Sequence, residues 1–311
     1  MKKTLNSQTI TSYTQLKPLH KDSPLFTQVC IIGLGLIGAS LAQAIKDNGL
    51  STRIVAVDSH EPSLIAGLEQ SLLAAGSQTL ADVVKGSDLI VIAVPVQAVT
   101  AVFKDIQSAI DTHLIEANCL ITDVCSTKVN IIDAAKTVFS TLPPGLVPAH
   151  PIAGAENSGY HARRAQLFVN HNVIICELPT TEHLAITAVR QLWERVGATV
   201  MPMAADHHDA ILAHTSHLPH LPAFNLVEQL ASHDDNLDMF RYAAGGFRDF
   251  TRIAASDPKM WHDIFFANQN AIVSALDEYS RYLCDMRQLI INKDSTALMG
   301  LLGRAQAARR H

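Results

Sequence analysis

Val29-Cys30-Ile31-Ile32-Gly33-Leu34-Gly35-Leu36-Ile37-Gly38-Ala39-Ser40-Leu41 is the stretch from which the rest of the chain can be read. Four apolar residues predict a buried strand. Gly33, Gly35 and Gly38 follow at once in GxGxxG spacing, and Ala39 onward predicts a helix. Each glycine has its own duty in that context. Gly33 permits the tight turn, Gly35 lets the backbone approach a pyrophosphate, and Gly38 allows the helix to pack closely on the strand. The helix opens through Ala39, Ser40 and Leu41, so its N-terminus, with Leu36 and Ile37 in the turn before it as further cofactor-binding residues, offers free N–H groups and the positive end of a dipole to phosphates. GxGxxG alone is more often just a glycine-rich turn; the strand before it and the helix after it reverse that reading.

The next apolar run ends at Asp58, about twenty residues beyond Gly38, where an acid accepts hydrogen bonds from the adenosine ribose. Ser59 and His60 follow, with no arginine to hold a 2′-phosphate that Asp58 would repel, so the expected cofactor is NAD rather than NADP. Another strand closes on Ala93-Val94-Pro95. Ligands of open α/β sheets bind beyond the carboxyl ends of the strands, so Val94, Pro95 and Val96 are expected to line the nicotinamide side.

Apolar runs at 29–32, 54–57, 89–94, 120–124, 146–149, 173–176 and 199–203 alternate with helical stretches, the pattern of a parallel sheet covered on both faces. After Asp206 no run reads as a strand. The segment 261–289 reads as one long helix, entered through Asp257 as N-cap and Pro258 at the first position. The expected fold is therefore α/β: a Rossmann-type, mostly parallel sheet domain over 25–203, then an all-helical substrate and dimerisation domain over 204–311. A chain of 311 residues exceeds what one core comfortably serves, which agrees with two domains. The helical third carries more apolar stripe than it can bury alone, which predicts a homodimer.

A net charge of −5 leaves no basic surface for nucleic acid, so a small molecule is the expected partner. Five cysteines without a CxxC pair suit a reduced, cytoplasmic protein. Residues 1–24 are polar and lack an apolar core, which argues against a secretory signal or membrane anchor. Their four lysines and missing acids before Asp22 faintly suggest a transit peptide, but without arginine a flexible tail is the better description.

Four segments are denser in polar groups than a core would want. Asp123-Val124-Cys125-Ser126-Thr127-Lys128 leaves a strand and enters a helix, placing Ser126 at the carboxyl edge, either as a helix cap or as a catalytic hydroxyl. In Pro148-Ala149-His150-Pro151-Ile152-Ala153-Gly154, Pro151 forces His150 into extended backbone facing the same crevice. A histidine there can take a proton as hydride leaves a carbinol carbon, its pKa of about 6.5 lying near working pH; the competing reading is a turn histidine. Glu156 lies just beyond.

His207, His208, His214, His217 and His220 form the third group, with His214 and His217 on one helical face. Pro219 and Pro222 would kink or break that helix and no HExxH pattern occurs, so no metal is expected; the histidines suit hydrogen-bond donation to an anion. The fourth, Gly245-Gly246-Phe247-Arg248-Asp249-Phe250-Thr251-Arg252, puts two arginines on one helical face, either as a carboxylate clamp or as surface partners of Asp249 and Asp257.

Taken in order, GLGLIG at Gly33, DVCSTK at Asp123, HPIAG at His150, SHLPH at Ser216 and GFRDFTRIAASDPKMW at Gly246 resemble the prephenate dehydrogenase family, arogenate and cyclohexadienyl dehydrogenases included. The resemblance spans about residues 28 to 307. It implies NAD-dependent oxidation of the ring carbinol of prephenate, with loss of the ring carboxylate, to 4-hydroxyphenylpyruvate, or to tyrosine from arogenate. It also implies His150 as the catalytic histidine, Ser126 as its helper at the hydroxyl, and Arg252 on a substrate carboxylate. His217 and His220 would stand beside the substrate, Glu156 at the entrance, and Arg248 where relatives may carry lysine. Rival expectations are a β-hydroxyacid dehydrogenase, which would want a lysine in the histidine-rich helix, and a non-catalytic NAD sensor, which would not need His150, Ser126 and Arg252.

Overall fold

The computed structural model describes residues 23–155, 157–233 and 240–310. The expected tail over 1–24, apart from Ser23 and Pro24, and the expected site residue Glu156 lie outside the described residues. The chain forms two compact units: one extends to His208 and includes Pro258–Ala267, and the other comprises Asp209–Asp257 and the chain from Asn268 onward.

In the first unit six strands form a parallel sheet: β1 Phe26–Ile32, β2 Ser51–Val57, β3 Ala75–Ser77, β4 Leu89–Ile92, β5 Leu120–Asp123 and β6 Leu146–Val147, in the spatial order β3-β2-β1-β4-β5-β6. The chain winds outward from β1 through β2 and β3, then crosses back to β4 and winds the other way. The switch point thus lies between β1 and β4, at the ends of which stand the glycine turn and Val94-Pro95. Alternate residues of a strand serve opposite faces. Val29 and Ile31 join one core cluster with Trp193 and Phe168, while Cys30 and Ile32 join the other with Phe103 and Phe139. This two-sided burial is why the runs are continuously apolar.

Several expectations need correction. β3, Ala-Gly-Ser, was not anticipated, because its residues have weak strand propensity and it exists by pairing with β2. The run 89–94 is a strand only to Ile92, with Ala93 N–H still donating to Ile32 C=O. The run 146–149 does not continue one sheet. Pro148 has no N–H for the ladder, and after it β7 Ala149–Pro151 joins a separate sheet, antiparallel to β8 Asn172–Ile175, which is parallel to β9 Thr199–Pro202. The segment 261–289 is two helices, Pro258–Ala267 and Gln269–Ile291, interrupted at Asn268.

The first unit's sheet is flanked by α1 Leu36–Asp47, α2 Glu61–Glu69, α3 Val99–Asp111, α4 Val129–Val138 and α5 His183–Arg195. Beyond β9 every described element is helical. α6 Ala205–Leu212 leads into a π-helical turn, Ala213–His217, and α7 Leu218–Ala231. Then come α8 Gly245–Thr251, the 3₁₀ turn Arg252–Ala255, α9 Pro258–Ala267, α10 Gln269–Ile291 and α11 Ser295–Arg309. Pro219 and Pro222 do not break the helix as expected. Pro219 falls in the first turn of α7, where its N–H is not required, and Pro222 withdraws one bond inside it, just beyond the widened π turn. No described helix is long and apolar enough to cross a membrane.

Candidate active site

The glycine turn is held by sterics at two glycines and left open at the third. Gly33 has φ +100°, and a Cβ there would stand 2.4 Å from Ala93 O; a Cβ on Gly38 would stand 1.9 Å from Gly33 O. Around Gly35 nothing lies within 4 Å of the corresponding position. A side chain could therefore fit at Gly35 alone, and the space it would fill is where a pyrophosphate must approach. Gly35 is also the N-cap of α1 and supplies no side-chain cap, so the N–H groups of the first turn, at Leu36 and Ile37, suit a phosphate acceptor.

Asp58 ties this turn to the end of β2. Its Oδ2 accepts from Leu34 N–H at 2.5 Å and its Oδ1 from His60 N–H at 2.7 Å, while His60 Nδ1 meets Ser63 Oγ at 2.9 Å. The carboxylate is thereby aimed by backbone donors and retains lone pairs for ribose hydroxyls. A cavity of about 540 Å³ opens at the ends of β1 and β2, lined by Ile32, Val57, Leu80 and Val102 and also by Gln78, Thr79 and Asp105, a mixed surface whose apolar part suits an adenine ring. These features fit a bound dinucleotide.

The DVCSTK segment is organised by a buried ion pair. Lys128 Nζ contacts Asp123 Oδ2, with side-chain exposures of 0% and 1%. The same lysine donates to Ala149 O at 2.8 Å, and Asp123 Oδ1 accepts from Ala149 N–H at 3.2 Å. Both backbone groups of the residue before His150 are thus held by the loop that carries half-buried Ser126. Asp123 Oδ2 also accepts from Cys125 N–H at 2.9 Å, and burial pushes the Cys125 thiol far above its usual range, which removes it as a nucleophile.

His150 occupies the middle of β7 and is 9% exposed. Its Nδ1 lies 2.9 Å from His208 Nε2, with the rings edge-on at 68° and centroids 5.1 Å apart. His208 is fully buried on α6. The sequence reading counted His208 only as one of five histidines suited to an anion, and gave Asp123 and Lys128 no individual role within their segment. The signals available were the His207-His208 doublet and a lysine at a helix entrance.

In the second unit His214 and His217 do not share a face as expected, because the π turn changes the angular step; His214 is exposed and His217 buried. Asn268 Nδ2 lies 2.8 Å from Asp209 O and 3.2 Å from His217 Nδ1. His220 Nδ1 lies 2.9 Å from Ser216 O; burial lowers its pKa, opposed by that bond. Arg248 sits in α8 and Arg252 follows as its C-cap, still in helical backbone with φ −51° and ψ −38°, so the two arginines keep the helical spacing of four residues. Both arginines are exposed. Among the described residues no group of three His, Cys, Asp or Glu is arranged to hold a metal.

Fold and glycine turn define a protein of the Rossmann-type nucleotide-binding class. Residues 41–202 match the family described as "Prephenate dehydrogenase, nucleotide-binding domain", and residues 204–304 the one described as "Prephenate dehydrogenase, dimerization domain". The chain belongs to the prephenate dehydrogenase family. It is 36% identical over 290 residues to the cyclohexadienyl dehydrogenase of Zymomonas mobilis, covering 92% of this chain and 96% of that protein. Prephenate dehydrogenase of A. aeolicus, solved with hydroxyphenyl propionate and NAD+, superposes with a TM-score of 0.84 at 29% identity, covering 91% of this chain and 97% of the other. Synechocystis arogenate dehydrogenase superposes with a TM-score of 0.77 at 25% identity, covering 91% and 99%.

Proposed function

We propose that this enzyme oxidises prephenate with NAD, releasing CO₂ and 4-hydroxyphenylpyruvate in tyrosine biosynthesis, and that L-arogenate is its second substrate, giving tyrosine. The observation that carries this reading is His150, fixed beside the Ser126 loop by the Asp123–Lys128 pair in a chain of this family. Bound NAD supplies the acceptor for the hydride that leaves the ring carbinol carbon.

The protein's part is proton handling and anion binding. His150 takes the proton of the ring hydroxyl, and Ser126 orients that hydroxyl. As the carbinol becomes a carbonyl, the bond to the ring carboxylate breaks, CO₂ leaves, and its electrons complete the aromatic ring and pass to the carbonyl oxygen, which takes the proton back from His150 as the phenol forms. Arg252 binds a carboxylate of the dianion, Arg248 adds positive charge, and His217 and His220 serve as donors. Gly33, Gly35, Gly38, Leu36 and Ile37 receive the pyrophosphate, Asp58 the ribose, and Val94 and Pro95 the nicotinamide side.

We take 25–203 as the cofactor domain and 204–311 as the substrate and dimerisation domain. The two family matches support that division, as they support a homodimer. Exposed Tyr282, Leu283, Ile290 and Ile291 on α10 suit burial against a second copy. Four buried thiols and one exposed one suit the cytoplasm.

The test is NADH formation by the purified chain with prephenate and, in parallel, arogenate, repeated with NADP. Turnover with NAD is expected. Bound NAD with no turnover of either substrate would overturn the reading. A His150→Asn variant should keep NAD affinity and lose about 10²- to 10⁴-fold in kcat.

A further inference from the structure

We propose that His208 is the positioning residue of the proton transfer: in its Nδ1–H tautomer it accepts the Nδ1–H of His150 at Nε2 and so leaves Nε2 of His150 to take the substrate proton. The inference rests on the reading of His150 as the base.

Two tautomer arrangements satisfy the 2.9 Å contact between His150 Nδ1 and His208 Nε2. If His208 were the donor, neutral His150 would carry its proton on Nε2 and could not accept another there. If His150 is the donor, Nε2 presents its lone pair, and the imidazolium formed by proton transfer keeps its Nδ1–H on His208 as a stronger, charge-assisted bond. Only the second arrangement serves a base. The geometry assigns His208 the part that a carboxylate plays in the more familiar triads, with a neutral acceptor in its place.

His208 is the ring that meets Nδ1 of His150. Asp123 and Lys128, from the loop after β5, grip the backbone of Ala149. On β8 the register partner of His150 is apolar Ile174. The backbone is therefore set by the ion pair, whereas the ring and its tautomer are set from α6. His208 is itself fully buried, on a helix whose backbone N–H at this residue donates to Ala204 O at 2.8 Å. A rigid partner pre-organises the base at no cost during the reaction.

The experiment begins with the full chain uniformly labelled at histidine nitrogens, with His150→Asn as the assignment control. That control also separates the two readings: unchanged turnover in His150→Asn removes the base itself, not just its partner. In the wild type, His150 is expected as the Nδ1–H tautomer at pH 8; an Nε2–H tautomer overturns the proposal. In kinetics, His208→Ala is expected to lower kcat by more than about tenfold, up to the roughly 10⁴-fold that a wrong tautomer costs in a Ser-His-Asp triad, with the KM for NAD unchanged. Its acid limb of kcat/KM against pH should move to lower pH. His208→Gln, whose amide oxygen can accept the same proton, should recover most of the rate, and His208→Asp should move the limb to higher pH. A loss of rate shared equally by the Gln and Ala variants, with the limb unmoved in all three, means a packing role and overturns the proposal.

Discussion

The ammonium of Lys128 and the carboxylate of Asp123 meet in the interior, and between them they hold the N–H and the C=O of Ala149. Two segments about twenty residues apart in sequence, one bearing Ser126 and the other His150, are thereby locked together at the edge of the sheet. A buried pair of this kind adds little net stability, but removing one partner strands the other as an uncompensated charge. Lys128→Met is therefore expected to destabilise the protein by about 3–5 kcal/mol, measured by urea unfolding. Asp123→Asn with Lys128→Met should recover part of that loss while activity stays low, because Ala149 is no longer gripped. A single Lys128→Met variant as stable as the wild type would contradict the account.

Gly35 and Gly38 should respond differently to alanine. At Gly38 the new Cβ would collide with the backbone oxygen of Gly33, so Gly38→Ala should lower the melting temperature and abolish NAD binding together. At Gly35 the space is open and φ is −68°, so Gly35→Ala should fold normally. It should nevertheless weaken NAD by about tenfold or more, equivalent to about 1.4 kcal/mol, because the methyl group occupies the pyrophosphate's approach. Thermal unfolding with and without NAD, plus a binding titration, distinguishes the two. Equal damage at both positions would count against an open approach at Gly35.

Asp58 carries the discrimination between dinucleotides. Asp58→Asn removes the charge that repels a 2′-phosphate and weakens the acceptor for ribose hydroxyls. The ratio of kcat/KM for NAD to that for NADP should fall by about tenfold or more, chiefly through loss with NAD. An unchanged ratio would move the selectivity elsewhere, His60 being the nearest candidate. The bond from Leu34 N–H should survive in the variant, so the melting temperature should change little.

His220 predicts a pH dependence with a definite sign. Its pKa in the folded chain lies below the ordinary 6.5, mainly because burial disfavours the charged ring. Between that lowered value and 6.5 the unfolded chain binds more protons than the folded one, so stability rises with pH across this window and is lost as pH falls below about 6.5. His220→Gln should flatten this part of the stability–pH curve, measured by urea unfolding at a series of pH values. A curve of identical slope in the variant would show that another group titrates there.

Much of the fold could be read locally. A strand buried on both faces must be apolar at every position, and GxGxxG needs no distant partner to declare its turn, so β1, β2, β4, β5 and the nucleotide-binding turn could be found from the residues alone. The change to helix after Asp206 was legible for the same reason, through periodicity. The family resemblance rested on five short motifs, each of which is contiguous.

What the tertiary structure alone decided depends on residues far apart in the chain. β3 is a strand only because β2 offers it a ladder, and 146–149 divides because Pro148 cannot donate and β8 stands ready to receive β7. The long helix stops at Asn268, whose side-chain amide meets Asp209 O and His217 Nδ1, more than fifty residues away. The partner of His150 lies 58 residues further on, in a helix whose pattern does not distinguish His208 from exposed His207. The sequence by itself determined which residue types could do the chemistry and which turn could hold a dinucleotide. Which nitrogen faces which, and which histidine is buried, was decided only by packing, because a hydrogen bond depends on a few tenths of an ångström that no local propensity encodes.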